Sequence, residues 1–202
     1  MFGKIASDAL GLSDIGVIVP PSDYNKVDAD DYLFHEDGEK IFFLIKSKKD
    51  EYCFTNLALI HVDGDSAVSS KRSIKRYEYA RHLIGNVSIE TAGTVDRDVE
   101  LKFSVDQQVF NIDVKKSFIE QLKDIYKALI AIGHQQQRDA VARGNVQPCL
   151  AAVAQAFKIG STGGDDTLAR QFAMLLHTTN EAMLNRHTTR DFSAFFEKYI
   201  HS

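Results

Sequence analysis

Between Val17 and Val114 proline stands only at positions 20 and 21. Proline has no backbone amide to give to a sheet, so a stretch this clear of it is open to strand after strand. Ile41, Phe42, Phe43, Leu44 and Ile45 form an apolar run of strand length within residues 40–46. Residues 51–55 alternate around Tyr52 and Phe54, and 57–62 make a second apolar run, ended by Asp63-Gly64-Asp65. Asp-Gly between such runs signals a turn, because glycine takes a positive φ at little cost. Residues 66–79 read as one long strand or two, and 87–91 as another. Val99, Leu101, Phe103 and Val105 alternate with polar residues, and Asp106-Gln107 turns the chain into Val109, Phe110, Ile112 and Val114. Short strands at intervals of roughly 8–15 residues predict an antiparallel barrel or sandwich.

Helix signals flank these strands. Ile5, Ala6, Ala9 and Leu10 fit a short amphipathic helix, and Pro20-Pro21-Ser22-Asp23 marks a turn. Ser117-Phe118-Ile119-Glu120 fits a capping box, followed by Phe118, Leu122, Ile125, Tyr126 and Leu129 at helical spacing. From Gly133 onward helix signals prevail, and the charge divides there too. Residues 1–133 hold 17 basic and 22 acidic residues, net −5, and 134–202 hold 7 and 6, net +1. The whole chain, at −4, advertises no nucleic-acid binder. Two cysteines, Cys53 and Cys149, exclude a disulfide scaffold. With no apolar run of about 18 residues and no secretory signal, the expectation is a soluble, cytoplasmic protein.

The segments Phe2-Gly3-Lys4-Ile5-Ala6, Glu39 to Lys46, Tyr52-Cys53-Phe54-Thr55-Asn56, Ile60-His61-Val62-Asp63-Gly64 and Ser69-Ser70-Lys71-Arg72, in this order of elements, resemble the bacterial pleckstrin-homology-like domain family. The resemblance implies an α+β fold over residues 1–133: a PH-like seven-stranded antiparallel β-sandwich or barrel capped by a C-terminal helix. Residues 134–202 resemble the all-α extension of some members, for which an oligomerising role is implied. No enzymatic activity or cofactor is implied, since this fold mainly displays binding surfaces. Eukaryotic relatives that bind phosphoinositides use basic residues around the first two-strand loop, which maps here to residues 46–51. Asp50 and Glu51 sit among those lysines, the arginine expected on the next strand is missing, and the chain has no tryptophan for its closing helix.

Two basic clusters are the candidates for an anion site: Lys46, Lys48 and Lys49, then Lys71, Arg72, Lys75 and Arg76. In the second, alternation puts Lys71 and Lys75 on one face and Arg72 and Arg76 on the other. Such charges serve either as solvated strand faces that discourage edge-to-edge pairing or as ligands for phosphate or an acidic partner. The acidic run Asp28, Asp30, Asp31, Glu36, Asp37, Glu39 fails as a calcium loop, because Tyr32 and Leu33 stand where a ligand and a glycine are needed. It reads as a solvated negative loop. No histidine pair has metal-ligand spacing, the cysteines read as free packed thiols, and Gly160 to Asp166 lacks the lysine of a phosphate loop. No residue carries an enzyme.

The tail carries three apolar stripes. Leu150, Val153, Ala154 and Phe157 follow Pro148 as a helix start; Leu168, Phe172, Leu175, Leu176 and Met183 make the second; Thr188 or Thr189 caps a third bearing Phe192, Phe195, Phe196, Tyr199 and Ile200. Burying each large side chain is worth ~1.5–3 kcal/mol, so the stripes demand cover. Either they fold back on the β-domain or they pack against another copy of the chain. The oligomer-interface candidates are Phe172, Leu176, Phe192, Phe195, Phe196 and Tyr199. The expected function is a non-enzymatic binding or scaffold module, self-associating through this extension and open to a protein partner. The alternative is a peripheral membrane or anion-binding adaptor reading acidic headgroups through the basic loops.

Overall fold

The proline-free stretch folds into two antiparallel sheets. In the computed structural model, which describes residues 13–64, 72–91, 98–156 and 165–200, strands β1 (Val17–Ile18), β2 (Ile41–Lys46), β3 (Asp50–Thr55), β4 (Ala58–Gly64) and β5 (Arg72–Glu78) pair in sequential order. Strands β6 (Ile84–Thr91), β7 (Asp98–Val105) and β8 (Gln108–Lys115) form the second sheet. The expected helix over residues 5–10, Lys71 and the glycines 160–164 lie outside the described residues. Eight strands replace the seven expected, because two-residue β1 is too short to show a period. In β6 a register shift between Gly85 and Ser88, with Asn86 at φ 51°, hides the alternation of its first half. Asp106-Gln107 does make the β7–β8 turn, with Asp106 at φ 52° and Val105 opposite Gln108. Asp63-Gly64 is not a turn: both residues are paired in β4, and a Cβ on Gly64 would lie 2.7 Å from the Lys49 carbonyl oxygen.

Gly16 joins the sheets at one corner. Its amide donates to the Asp113 carbonyl (2.7 Å) and its carbonyl accepts from the Lys115 amide (3.0 Å). A Cβ there would lie 2.8 Å from Ile45 Cγ2, so only glycine lets the strands approach this closely. The main core lies on one face of the five-stranded sheet, where Phe43, Ile45, Phe54 and Leu59 meet Leu101, Phe103, Phe110 and Ile112. Three 3₁₀ turns (Pro21–Lys26, Asp28–Tyr32, His35–Asp37) accompany a second core on its other face, where Val19, Val27, Ala29 and Leu33 meet Leu44, Cys53, Ile60 and Val62. A strand buried on both faces reads as a continuous apolar run, which accounts for Ile41 to Ile45.

Helix α1 (Ile119–Ala156) buries Leu122, Ile125, Ala128, Leu129 and Ile132 in the main core. The anticipated capping box does not form: Lys116–Phe118 is a 3₁₀ turn without a side-chain cap, and Glu120 pairs with Lys123 instead (2.7 Å). The helix runs on past residue 134, the expected domain boundary, and through Pro148, where a new helix was expected to start. A Cβ at Gly133 would lie 2.8 Å from the Ile84 carbonyl oxygen, so this glycine marks close packing of helix on sheet, whereas at Gly144 it would meet nothing within 4 Å.

The chain forms two units, one of Met1–Gly133 with Arg190–Ser202, the other of His134–Thr189. The tail is therefore not a single extension over 134–202. Its last helix, α3 (Ser193–Tyr199), belongs to the first unit, with Phe192 and Phe196 wholly buried in the main core. Phe196 stacks on Phe42 (5.1 Å between centroids), Phe192 meets Tyr79 edge-on (5.6 Å), and the Phe192 amide donates to the Asn56 carbonyl (2.9 Å). Asp191, not Thr188 or Thr189, accepts from the Ser193 amide (2.8 Å) at this helix start. The second unit holds the rest of α1, then α2 (Asp165–Glu181) and a π turn, Ala182–Arg186.

Two alanine substitutions in α1 should therefore act with opposite sign. Gly144→Ala is expected to stabilise by about 0.5–1 kcal/mol through helix propensity alone. Gly133→Ala is expected to destabilise by about 1–3 kcal/mol, because the overpacking against Ile84 outweighs the same gain. Urea denaturation followed by circular dichroism checks both; stabilisation by each would deny the close approach at Gly133.

Candidate functional site

The basic candidates divide by strand face. On the face turned to the 3₁₀ turns, the buried Lys46 ammonium pairs with Glu51, whose carboxylate also accepts from the amides of Asp28 (3.2 Å) and Ala29 (2.8 Å). Arg72 pairs with Asp28. Arg76 donates to Glu39 (3.0 Å) and lies 4.5 Å over the Phe34 ring. Glu39, itself buried, also accepts from the Thr55 hydroxyl (2.6 Å) and the Phe34 amide (2.8 Å). Asp28 and Glu39 of the acidic run are thus counter-ions over the sheet, which corrects the reading of a solvated loop at those two positions, while Asp31, Glu36 and Asp37 are exposed as expected. Three anion candidates are held in ion pairs: Lys46 and Arg76 because a carboxylate buried under the 3₁₀ turns must be paired, and Arg72 as a half-exposed pair at the end of β5.

Lys48 and Lys49 are exposed in the β2–β3 loop, Lys49 lying 3.9 Å from Asp14. Lys75 is exposed on β5 opposite His61 in register, so it points to the other face from Arg72 and Arg76. The structure does not gather the six described candidates into one cradle, and the seventh, Lys71, lies outside the described residues.

Burial keeps the interior phenols and the interior thiol protonated. Burial, reinforced by Asp50, Asp63 and Asp113, holds the Tyr52 phenol well above its usual range. Tyr52 stacks on His61 (4.5 Å), whose Nε2 lies 3.1 Å from Asp50. Burial pushes the Cys53 thiol up as well, so it supplies no thiolate. Cys149 is exposed, a correction to its reading as packed. Burial pushes the Tyr24 phenol to about 12. Among the described residues no group of three or more His, Cys, Asp or Glu side chains is placed to hold a metal ion.

The interface candidates separate as well. Phe192 and Phe196 are core, and Phe195 and Tyr199 pack half-buried against it, so these four spend their apolar surface within the chain. Phe172 and Leu176, on α2 of the other unit, are 67% and 50% exposed. Met174, Leu184 and Val141 of the same unit are exposed too and were not singled out from the sequence. Also missed was a clasp inside that unit. Asp139 accepts from the Thr189 amide (2.7 Å) and Gln135 (2.6 Å), and Arg143 donates to the His187 carbonyl (2.8 Å). The i, i+4, i+8 spacing of Gln135, Asp139 and Arg143 on a helix was its only sequence signal.

Comparison with known proteins agrees with this geometry. The bacterial PH domain family model matches residues 9–132. The uncharacterised protein YvbH of Bacillus subtilis (strain 168) is 48% identical over 204 residues, covering all of both chains. The crystal structure of a PH-domain-containing bacterial protein from Exiguobacterium sibiricum 255-15 superposes with a TM-score of 0.81 at 44% identity, covering 93% of this chain and all of that one.

Replacing Lys46 by Met strands the Glu51 carboxylate in the interior, with an expected cost of about 3–5 kcal/mol. Lys48→Met, at an exposed position, should stay within about 0.5 kcal/mol of the parent; urea midpoints compare the two. Alkaline pH is a second lever. Tyr24 keeps its proton to about 12 when folded, while an unfolded tyrosine loses it near ~10. The native state then binds more protons, so stability falls as pH rises from about 10 to about 12. Tyr24→Phe should fall less steeply across that window in pH-dependent denaturation, and an unchanged slope would contradict the burial of this phenol.

Proposed function

The chain belongs to the bacterial PH domain family, and we propose that it is a non-enzymatic binding or scaffold module that self-associates into a homo-oligomer through its helical unit, His134–Thr189. The observation that carries this reading is the exposure of Phe172 and Leu176 on α2. They lie four residues apart and so share one helix face, and Met183 continues it. Covering each such side chain is worth about 1.5–3 kcal/mol, and contiguous apolar patches of this kind mark interaction surfaces. A second copy offers an identical patch, which a two-fold contact can pair with itself.

The non-enzymatic part rests on the family, whose fold mainly displays binding surfaces. An adaptor for acidic headgroups would have to work mainly with Lys48, Lys49 and Lys75, since Lys46, Arg72 and Arg76 already hold carboxylates. No helix among the described residues is long and apolar enough to cross a membrane.

Truncation near Ala131 is a poor test, because it would strip Phe192 and Phe196 from the core of the first unit. Point substitution is cleaner. Light scattering and native mass spectrometry of the full chain at tens of micromolar are expected to report a multiple of the monomer mass. Phe172→Asp with Leu176→Asp should return it to the monomer with its circular dichroism unchanged. A monomeric parent chain sinks the proposal.

A further inference from the structure

The first unit holds a groove of about 650 Å³ that none of the roles above uses. Its apolar lining comes from Ile18 to Pro21, Phe42, Phe118 and Ile200, and the polar residues that reach it are Tyr24, Gln121 and Glu197. Small-molecule sites typically occupy ~300–1,000 Å³, with apolar walls and a few polar groups that fix orientation. The lining is held in place independently of any ligand. Pro20 and Pro21 fix their own φ, the Val19 amide donates to the Leu44 carbonyl (3.0 Å), and the Ile200 amide donates to the Phe196 carbonyl (2.8 Å). The Tyr24 hydroxyl donates to the Phe42 carbonyl (3.3 Å), and Phe42 is stacked on buried Phe196.

The charges select the head of the ligand. Among the lining residues only Tyr24 and Glu197 are ionisable, and neither can carry a positive charge. Glu197 is met by Lys40 at 3.3 Å, but the two side chains are 57% and 58% exposed, so this pair is weak and exchangeable. The Lys40 ammonium also lies 4.8 Å from the Phe42 ring centroid. A cation thus already stands between a carboxylate and an aromatic face at the edge of an apolar groove, an arrangement that favours ammonium groups. We infer that this groove binds a single-chain amphiphile, its alkyl tail along Phe42 and Phe118 and its ammonium head at Glu197.

Dodecylamine, below its micellar concentration, is the probe, with dodecanoate as the anionic comparison. Both are titrated into the full-length chain by calorimetry and by amide and methyl NMR. One dodecylammonium per chain is expected, shifting Ile18, Val19 and Ile200, with at least about tenfold preference over dodecanoate from charge complementarity. Glu197 is exposed, so Glu197→Lys should keep the fold while reversing that preference. The inference is overturned by absence of saturable binding or by shifts confined to Phe172 and Leu176. It is overturned equally if Glu197→Lys leaves the preference unchanged, since apolar adsorption alone would be indifferent to that charge.

Discussion

Strands β2 to β4 of the five-stranded sheet are covered on both faces, and much else in the first unit follows from that. An antiparallel sheet with one wet face alternates apolar and polar residues; one with no wet face must pair or neutralise every polar group it carries. Lys46 and Glu51, and Arg76 and Glu39, are the result. The 3₁₀ turns over the outer face bring both apolar cover, from Val27, Ala29 and Leu33, and backbone amides that the Glu51 carboxylate accepts from. One carboxylate therefore neutralises a strand lysine and anchors the covering segment. Replacing such a network by hydrophobic residues can be neutral, but removing one partner is not, so its charges are interdependent.

The second constraint comes from the chain's end. Phe192 and Phe196 complete a core that also takes in Phe43, Tyr79 and the buried stripe of α1. Because Arg190–Ser202 belongs to the first unit, residues 134–189 form an excursion whose two ends are tied to one domain. Within it, Asp139 and Arg143 of α1 hold the backbone at His187 and Thr189. A buried carboxylate accepting from a backbone amide is among the stronger hydrogen bonds available to a small helical unit.

How much of this was legible depended on whether a signal was local. Strand alternation in β7 and β8 and the stripe of Leu122, Ile125 and Leu129 are local, and the structure follows them closely. The PH-like family was legible from short segments on β2, β3 and β4. The continuity of α1 was not. A domain boundary was placed beside Gly133, yet the role of this glycine is set by the Ile84 carbonyl, far away in sequence. The basic clusters were read from strand parity, which correctly separated Lys75 from Arg72 and Arg76. Parity could not reveal that the acidic run would lie against two of those arginine and lysine positions, because both faces of a strand look alike until something covers one. The five-residue pattern of Phe192, Phe195, Phe196, Tyr199 and Ile200 demanded cover without saying whose, and the wholly buried Phe192 and Phe196 show that the chain covers them itself.

That outcome sharpens what remains on α2. At about 100° per residue, Leu175, Thr179, Phe172 and Leu176 span an arc of about 100° on one face of α2, and Met183 follows in the π turn. Leu175 and Thr179 are partly covered, whereas Phe172, Leu176 and Met183 are exposed. The covered and uncovered residues form one stripe that is buried along one side only. An amphipathic helix in a finished core shows the opposite arrangement, with its apolar arc centred on what it packs against. The tail's other aromatic stripe is already spent inside the first unit, so it is not available to complete this one. A two-helix unit also has no further element of its own to offer, since α1 and α2 are its only helices among the described residues apart from the short π turn. The open side of the α2 stripe is the surface on which the proposed self-association rests, because a second copy would bring a stripe of the same length and chemistry to meet it.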